Sequence, residues 1–280
     1  MVELNPRYGD DPIIRIIGFD DDPLALMIQQ RARLAETLAT LDDEQWATAS
    51  RCDGWTAQDV VTHLVSTNGF WAASIALGLA GKPSRFLAGF DPVASPAQMV
   101  AAAGVVPPAE TLASFVASNA ALAEAAARVG DQTWTTVAET PAGHLAMGCV
   151  ALHALWDALL HERDILLPLG VPVVEEPAEI GAALTYAAAL GPAYAASLGS
   201  GRIGAIEIRT TSPDVHLGVE LLADSVVVRS DESAAGAVVL EGDSLETLEA
   251  LSCRAPLSST IAPRDRWLFE GLAIAFDQTT

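Results

Sequence analysis

Apolar residues recur every three or four positions in four long stretches of this chain. This spacing predicts amphipathic helices, because one helical turn takes 3.6 residues. The predicted helices cover about residues 23–41, 56–78, 108–130 and 145–167. Pro23 suits a first helical position, and Thr56 followed by Asp59 is typical of a capping box. Four long helices with one extended connection, over residues 82–108, predict a four-helix bundle.

The pattern changes after about residue 200. A further helix is predicted over residues 177–198, and the runs that follow alternate with period two and are rich in β-branched residues, which indicates strands. These runs are IGAIEIRTT, VHLGVEL, DSVVVRS and AGAVVLEG. Helices over residues 244–251 and 263–276 complete a small unit in which helices cover one face of the sheet.

The predicted fold class is therefore α+β, with helix outweighing strand. Residues 1–22 are predicted to be a loosely attached lead-in, although they contain the apolar run Ile13 to Ile17. Residues 23–200 are predicted to form the helical bundle and its connecting helix, and residues 201–280 the small α+β domain.

Composition and charge exclude several classes of function. Of the 280 residues, 51% are apolar and 18% charged, which supplies a sizeable core. Acidic residues number 36 against 15 basic ones, and the net charge of −21 repels a nucleic-acid backbone. The apolar stretches are interrupted before the roughly 18 residues that a membrane span needs, and no signal peptide is evident. We expect a cytoplasmic monomer or homodimer that binds small molecules, not membranes or nucleic acid.

Common catalytic motifs are missing from the sequence. There is no G-x-S-x-G, no G-x-G-x-x-G and no Walker loop, so conventional hydrolase and nucleotide-binding functions are not supported. Cys52, Cys149 and Cys253 are widely spaced, without any C-x-x-C, and predict neither a disulfide framework nor a cysteine zinc site. Any metal ion must therefore be held by histidine and carboxylate.

The fourth predicted helix carries the residues most suited to metal binding. His153, Asp157 and His161 lie four residues apart on one face. His153 and His161 are about 12 Å apart along the helix, too far to share one tetrahedral ion easily. A site with three protein ligands therefore needs one from elsewhere, for which His63 is the natural candidate. The more common meaning of this spacing is a polar helix edge or an intrahelical hydrogen bond, and His153 is more typical of a core histidine or of one that supports a ligand.

Two segments resemble one protein family. RCDGWTAQDVVTHL resembles the C-x-G-W-T…D…H-L signature of the mycothiol-dependent maleylpyruvate isomerase family, a branch of the DinB-like metal-binding bundles. HALWDALLHERDILLPLG resembles the second signature of that family, an acidic residue four positions before H-x-x-D. This likeness covers about residues 23–170. GAVVLEGDSLETLEALSCRAPL resembles the sterol-carrier-like C-terminal domain of many relatives.

The resemblance implies a set of site residues and cofactors. His63, Asp157 and His161 fall on the family's three ligands to zinc or another divalent metal, although the middle ligand is typically Glu and Asp157 is one methylene shorter. A mycothiol-like thiol is the implied cosubstrate. The family's C-terminal domain places an arginine near the active site, and Arg254 matches it loosely, because Ser252 and Cys253 replace the usual glycine context.

The implied chemistry is thiol-dependent. A thiol bound to the metal as thiolate attacks an electrophilic carbon; addition, bond rotation and elimination give cis to trans isomerisation, and retention of the adduct gives S-transfer. Arg254 is expected to hold an anionic group of the substrate. Two other functions stay open: a zinc-hydroxide hydrolase or lyase of a small metabolite, and a non-catalytic metal-binding regulatory protein.

Overall fold

Helices make up most of the N-terminal part of the molecule. A computed structural model describes residues 6–258 and 260–276. Its helices are α1 (Pro23–Leu38), α2 (Asp43–Trp46), α3 (Ala57–Leu79), α4 (Ala94–Ala103), α5 (Pro108–Ala126), α6 (Met147–Leu166), α7 (Pro177–Ser197), α8 (Ser244–Leu251), a short 3-10 helix (Arg266–Leu268) and α9 (Gly271–Ala275). Helices α1, α3, α5 and α6 pack against one another as a four-helix bundle, so the mixed fold with an N-terminal bundle is confirmed.

The starts of α1 and α3 have clear local causes. The side chain of Asp22 accepts hydrogen bonds from the backbone N–H groups of Leu24 and Ala25 at the start of α1. At the start of α3, Thr56 and Asp59 form a complete capping box, in which each side chain accepts from the other residue's backbone N–H. This cap sets the position of α3 two turns before His63. Helix α3 has the length and hydropathy of a possible membrane span, but one face of it is buried in the bundle as in a core helix.

The strands form one large sheet and one small hairpin. They are β1 (Ile14–Ile17), β2 (Val137–Thr140), β3 (Gly143–Ala146), β4 (Gly204–Thr211), β5 (Val215–Leu221), β6 (Val226–Ser230) and β7 (Val238–Asp243). The large sheet has the order β1-β6-β5-β4-β7, and β2 pairs with β3. The four strands predicted after residue 200 are all present.

The N-terminal segment is more firmly attached than its sequence suggests. Strand β1 pairs in parallel with β6, with Ile14 opposite Val226 and Ile17 opposite Arg229. Ile13 and Ile14 are buried in the main hydrophobic core. The prediction of a loosely attached lead-in is therefore wrong for this strand, because burying an apolar run at a sheet edge offsets the cost of ordering it. The sheet takes one strand from before the bundle and four from after it. The predicted boundaries at residues 22 and 200 stay predictions.

Helix α7 joins the bundle to the sheet. It packs against α1 and α6 on one side and against β5, β6 and α8 on the other. Nearly all of its residues are buried, which explains its weakly amphipathic, alanine-rich sequence. One hydrophobic core therefore runs from α6 through α7 to the sheet.

Two local predictions differ from the structure. The hairpin of β2 and β3 precedes α6 and ends at Ala146, so α6 begins at Met147 instead of near residue 145. Four-residue strands carry little periodic signal, and this hairpin is held by tertiary contacts such as the hydrogen bond from Ser74 Oγ to the backbone oxygen of Glu139. The helix predicted over residues 263–276 is broken into two short pieces, because Gly271 lies directly against the backbone of Gly191 in α7.

Candidate metal centre

Helices α3 and α6 bring together three residues that sequence analysis selects as ligands. His63 lies on α3, and Asp157 and His161 lie one turn apart on α6. One ligand atom from each of the three lies within 4.8 Å of those from the other two. His63 and His161 are buried, and Asp157 is nearly so. The group sits where α3 and α6 pack together, and the rings of the two histidines contact each other edge to face at 5.0 Å.

The spacing of these atoms fits a small divalent ion. Oδ1 of Asp157 lies 3.6 Å from Nε2 of His161 and 3.9 Å from Nε2 of His63. Ligand atoms in a tetrahedral zinc site, with metal–ligand bonds of about 2.0 to 2.1 Å, are about 3.3 to 3.4 Å apart. A shift of a few tenths of an ångström would therefore bring Oδ1 of Asp157 to such a distance from both histidine nitrogens.

Two polar atoms of this group have no partner. Oδ2 of Asp157 and Nδ1 of His63 are buried and make no hydrogen bond within residues 6–258 and 260–276. Burying an unpaired carboxylate oxygen is costly, so native proteins normally compensate it with a donor or a cation. Two imidazoles and one carboxylate with an open fourth position form the donor set of a catalytic zinc site. The residues present therefore fit a zinc ion.

The charges of the group are strongly coupled. Burial raises the pKa of Asp157, but the nearby side chains of His63, His161 and His153 outweigh burial and hold that pKa below its usual range. Burial lowers the pKa of His161, yet its contacts with Asp164 and Cys52 and the charge of Asp157 raise it to about 10. A cation that binds at Nε2 of His161 takes the place of a proton held there.

Comparison with known proteins assigns this part of the chain to a family. The family model described as "Mycothiol maleylpyruvate isomerase N-terminal domain" matches residues 28–166. These residues include all three candidate ligands. Through this domain, the chain belongs to the mycothiol maleylpyruvate isomerase family. No curated protein sequence matches the chain.

Two solved structures share the fold of this family member. A crystal structure of a mycothiol-dependent maleylpyruvate isomerase aligns with a TM-score of 0.60 and 14% identity, covering 87% of this chain and 94% of that chain. A crystal structure of a histidine-to-alanine mutant of a mycothiol-dependent maleylpyruvate isomerase aligns with a TM-score of 0.59 and 13% identity, covering 83% of this chain and 88% of that one. The likeness extends beyond the isomerase N-terminal domain into the sheet.

Asp164 contacts the group of His63, Asp157 and His161, called the metal group below, through the ring of His161. Its buried carboxylate accepts a hydrogen bond from Nδ1–H of His161 at 3.0 Å, which directs Nε2 of that ring toward Asp157. Arg51 donates to it through Nε at 3.0 Å, and Arg254 donates through Nη2 at 2.9 Å. Burial raises the pKa of Asp164, but His161 and Arg254 reverse the effect and keep that pKa well below its usual range.

A second group of metal-ligating side chains shares His161. Sγ of Cys52, Nδ1 of His161 and a carboxylate oxygen of Asp164 lie close enough to hold an ion. In this group, however, the carboxylate is already paired with two arginines, and Nδ1 of His161 donates its proton to that carboxylate. A cation there would lie beside two guanidinium groups. The group of His63, Asp157 and His161 is therefore the better candidate for a metal site.

The resemblance implies that the reacting thiol belongs to a separate cosubstrate, and the position of Cys52 is relevant to that expectation. Its Sγ lies 3.6 Å from Nδ1 of His161, so a protein thiol does stand beside a histidine. That nitrogen carries a proton toward Asp164, and Cys52 itself donates to Asp164 at 3.3 Å. The ring therefore cannot act as the base for this thiol. Sequence spacing gave no sign of this contact.

His153 stands apart from both groups of ligand atoms. Its Nδ1 is 2.7 Å from the hydroxyl of Tyr186, and its ring contacts Trp71 and Trp156. Burial lowers its pKa to about 4, partly offset by the charge of Asp157, so the ring is neutral at pH 7. This environment is that of a core histidine, one turn before the ligand Asp157.

Arg254 is linked to the group of candidate ligands through Asp164. Its Nε and Nη2 engage Asp164, while Nη1 has only a long contact of 3.4 Å to the backbone oxygen of Ser252. Arg254 thus reaches the helical bundle with most of its guanidinium occupied by the Asp164 carboxylate, and its place in an active site stays a prediction.

Asp164, Arg51 and Glu249 were not predicted from the sequence to have a role in the site. The first lies three residues after His161 on α6, and that spacing places two helical side chains side by side. The signal for Asp164 was therefore present in the H-x-x-D pattern. Arg51 and Glu249 reach this cluster from a loop and from α8, which only the tertiary fold reveals.

Proposed function

We propose that this protein is a metal- and thiol-dependent enzyme that transfers a low-molecular-weight thiol to a small electrophilic substrate or isomerises it from cis to trans. The observation that carries the proposal is the buried group of His63, Asp157 and His161, with two unpaired polar atoms. Three protein ligands would leave the fourth position of a tetrahedral ion open. Membership of a family whose name includes mycothiol supports the thiol. The proposal includes a cytoplasmic location and small-molecule partners.

The three ligands supply a suitable charge. Two neutral imidazoles and one carboxylate reduce a divalent ion to a net charge of +1, and such a centre favours an anionic fourth ligand. Bound there, zinc would lower the pKa of a thiol and hold it as the nucleophilic thiolate. His161 keeps Nε2 aimed at the centre because Nδ1 donates to Asp164.

Arg254 is proposed to orient the substrate. Nη1 of this side chain is the guanidinium nitrogen with the weakest contact to the protein, at 3.4 Å from the oxygen of Ser252. A substrate carboxylate could accept a hydrogen bond from it at a cost of little rearrangement. Such charge-assisted hydrogen bonds are shorter and stronger than neutral ones, so this contact suits recognition of an anionic electrophile.

A turnover assay with and without thiol tests the proposal. The names of the related proteins suggest mycothiol and maleylpyruvate as the first compounds to try. The zinc-loaded protein should turn over substrate only when thiol is added, and a variant with Cys52, Cys149 and Cys253 replaced by serine should behave alike. Turnover that persists in thiol-free buffer in that variant would contradict the thiol mechanism and favour metal-activated water.

A further inference from the structure

Asp164 connects the metal group to the C-terminal part of the chain. It lies on α6, with its side chain fully buried. On one side it accepts a hydrogen bond from Nδ1–H of His161, and on the other it accepts three hydrogen bonds from Nε and Nη2 of Arg254, between 2.9 and 3.2 Å. Arg254 follows α8. Helix α8 belongs to the C-terminal part of the chain that begins with β4 and forms four strands of the large sheet, called the sheet-bearing part below. One carboxylate therefore contacts both a metal ligand and a residue beyond the bundle.

The sheet-bearing part is fastened at this point by further ion pairs. Glu249 on α8 accepts from Nε of Arg163 at 2.6 Å and from Nη1 of Arg51 at 3.2 Å. The backbone N–H of Arg254 donates to the backbone oxygen of Glu249, which ties the two residues together. The position of Arg254 is thus set by how α8 docks on the end of α6.

From this geometry we infer that Asp164 and Arg254 are positioning residues for the metal ligand His161, so that docking of the sheet-bearing part sets the metal affinity of the bundle. The inference rests on the metal site in the proposed function. A carboxylate on the far nitrogen of a metal-bound histidine fixes the ring's tautomer and orientation and raises its basicity, and loss of such a partner typically lowers metal affinity about 10- to 100-fold. Here that carboxylate is itself held by an arginine fork.

This positioning role depends on the planar guanidinium of Arg254, which contacts the carboxylate through two nitrogens at once. Nε and Nη2 grip the carboxylate side by side, a geometry that a lysine ammonium cannot reproduce. Arg254→Lys keeps the positive charge near the metal group, so any change in affinity reports on geometry and not on the local charge. Asp164 would then be held mainly by Arg51.

Arg163→Lys is the matched control. Arg163 forms ion pairs with Glu249 and Glu175 in the same interface, and its guanidinium makes no contact with Asp164 among the described residues. This control loses a guanidinium one residue away from Asp164 and leaves the carboxylate's own partners in place. Both variants keep the net charge of the chain.

The test is zinc affinity, measured by competition with a chelator at fixed pH, together with the visible absorption spectrum of the cobalt(II)-loaded protein. Arg254→Lys should bind zinc about ten-fold more weakly than the parent protein and show an altered cobalt spectrum. Arg163→Lys should match the parent within about two-fold. Equal affinity and spectrum in Arg254→Lys and the parent would overturn the inference, as would an equal loss in the control.

A second variant addresses the carboxylate directly. Asp164→Asn retains an acceptor oxygen but loses the charge that holds both arginines, so its zinc affinity should fall at least as far as that of Arg254→Lys. Circular dichroism checks that it folds, and the lysine comparison decides the question if it does not. Absence of bound metal in the parent protein would instead refute the metal site itself, which separates failure of the proposed function from failure of this inference.

Discussion

At the scale of single residues, the site depends on which ring nitrogen each histidine presents. His161 presents Nε2, because Asp164 accepts the proton on Nδ1. His63 also presents Nε2 toward Asp157, but its Nδ1 has no partner among the described residues. The spacing of Asp157 and His161 could be read from the sequence, since residues four apart share a helix face. The orientation of the rings could not, because it depends on partners from other elements.

The two histidines of α6 should differ in their effect on metal content. His161→Ala removes a ligand, so the protein should lose most of its bound zinc, whereas His153→Ala should retain about one zinc per chain. His153→Ala leaves the Tyr186 hydroxyl without its partner and should lower the free energy of unfolding by about 1 to 3 kcal/mol. Elemental analysis and urea denaturation measure the two effects. Tight zinc binding by His161→Ala, with loss in His153→Ala, would show that the ligands are misassigned.

Arg254→Ala should reduce substrate use when zinc is supplied in excess. Loss of a charge-assisted contact costs about 1.5 to 3 kcal/mol, which corresponds to a decrease of roughly ten-fold to over a hundred-fold in kcat/KM. The same variant should still contain one zinc under these saturating conditions. Unchanged kcat/KM would remove Arg254 from the proposed substrate contacts.

At the scale of elements, long helices were predictable and short pieces were not. Helix α3 has a capping box in its sequence and more than six turns of pattern, so its start and extent follow from local rules. The β2–β3 hairpin and the broken terminal helix follow from contacts with distant residues. Gly78 in α3 illustrates this, because a side chain there would meet the backbone of Val137 in the hairpin. The sequence patterns that predict helices and strands do not predict such a contact.

The capping box of α3 should stabilise the bundle without contributing to metal chemistry. Thr56→Ala removes the hydroxyl that accepts the backbone N–H of Asp59, which should lower the free energy of unfolding by about 1 kcal/mol. Thr62→Ala, in the interior of the same helix, removes only a hydroxyl bonded to the backbone oxygen of Gln58 and should change stability by less than about 0.5 kcal/mol. Urea denaturation measures both. Similar losses in the two variants would mean that the cap has no special role.

At the scale of the whole molecule, the order of elements in the sequence hides how the two parts join. Strand β1 precedes the bundle yet completes the sheet, and α7 lies between bundle and sheet. A sequence pattern reports whether a strand is present, but its partner is a long-range property. The contacts of Arg254 and Glu249 with α6 are likewise long-range, so no local sequence pattern reports them. The bundle and the candidate ligands His63, Asp157 and His161 could therefore be predicted from the sequence, the ligand role itself staying a prediction, and the joining of the two parts could not.

Limited proteolysis should show which connection is least protected. Residues 199–203 are exposed, whereas in the connection after α3 the backbone N–H groups of Phe86 and Leu87 donate to the buried carboxylate of Glu139. A nonspecific protease should therefore cut first within residues 199–203 and later within residues 82–96. Mass spectrometry of early fragments identifies the sites. A first cut inside residues 56–77 would contradict the position of α3.

The central claim is that His63, Asp157 and His161 hold a metal ion whose open position binds an added thiol. The most direct measurement is the near-ultraviolet absorption of the cobalt(II)-loaded Cys52→Ser protein during titration with mycothiol, since this variant excludes the nearest protein sulfur. The account predicts one bound cobalt per chain and a thiolate-to-cobalt charge-transfer band that grows with added thiol and saturates. One tightly bound cobalt whose spectrum stays unchanged at saturating thiol would contradict it.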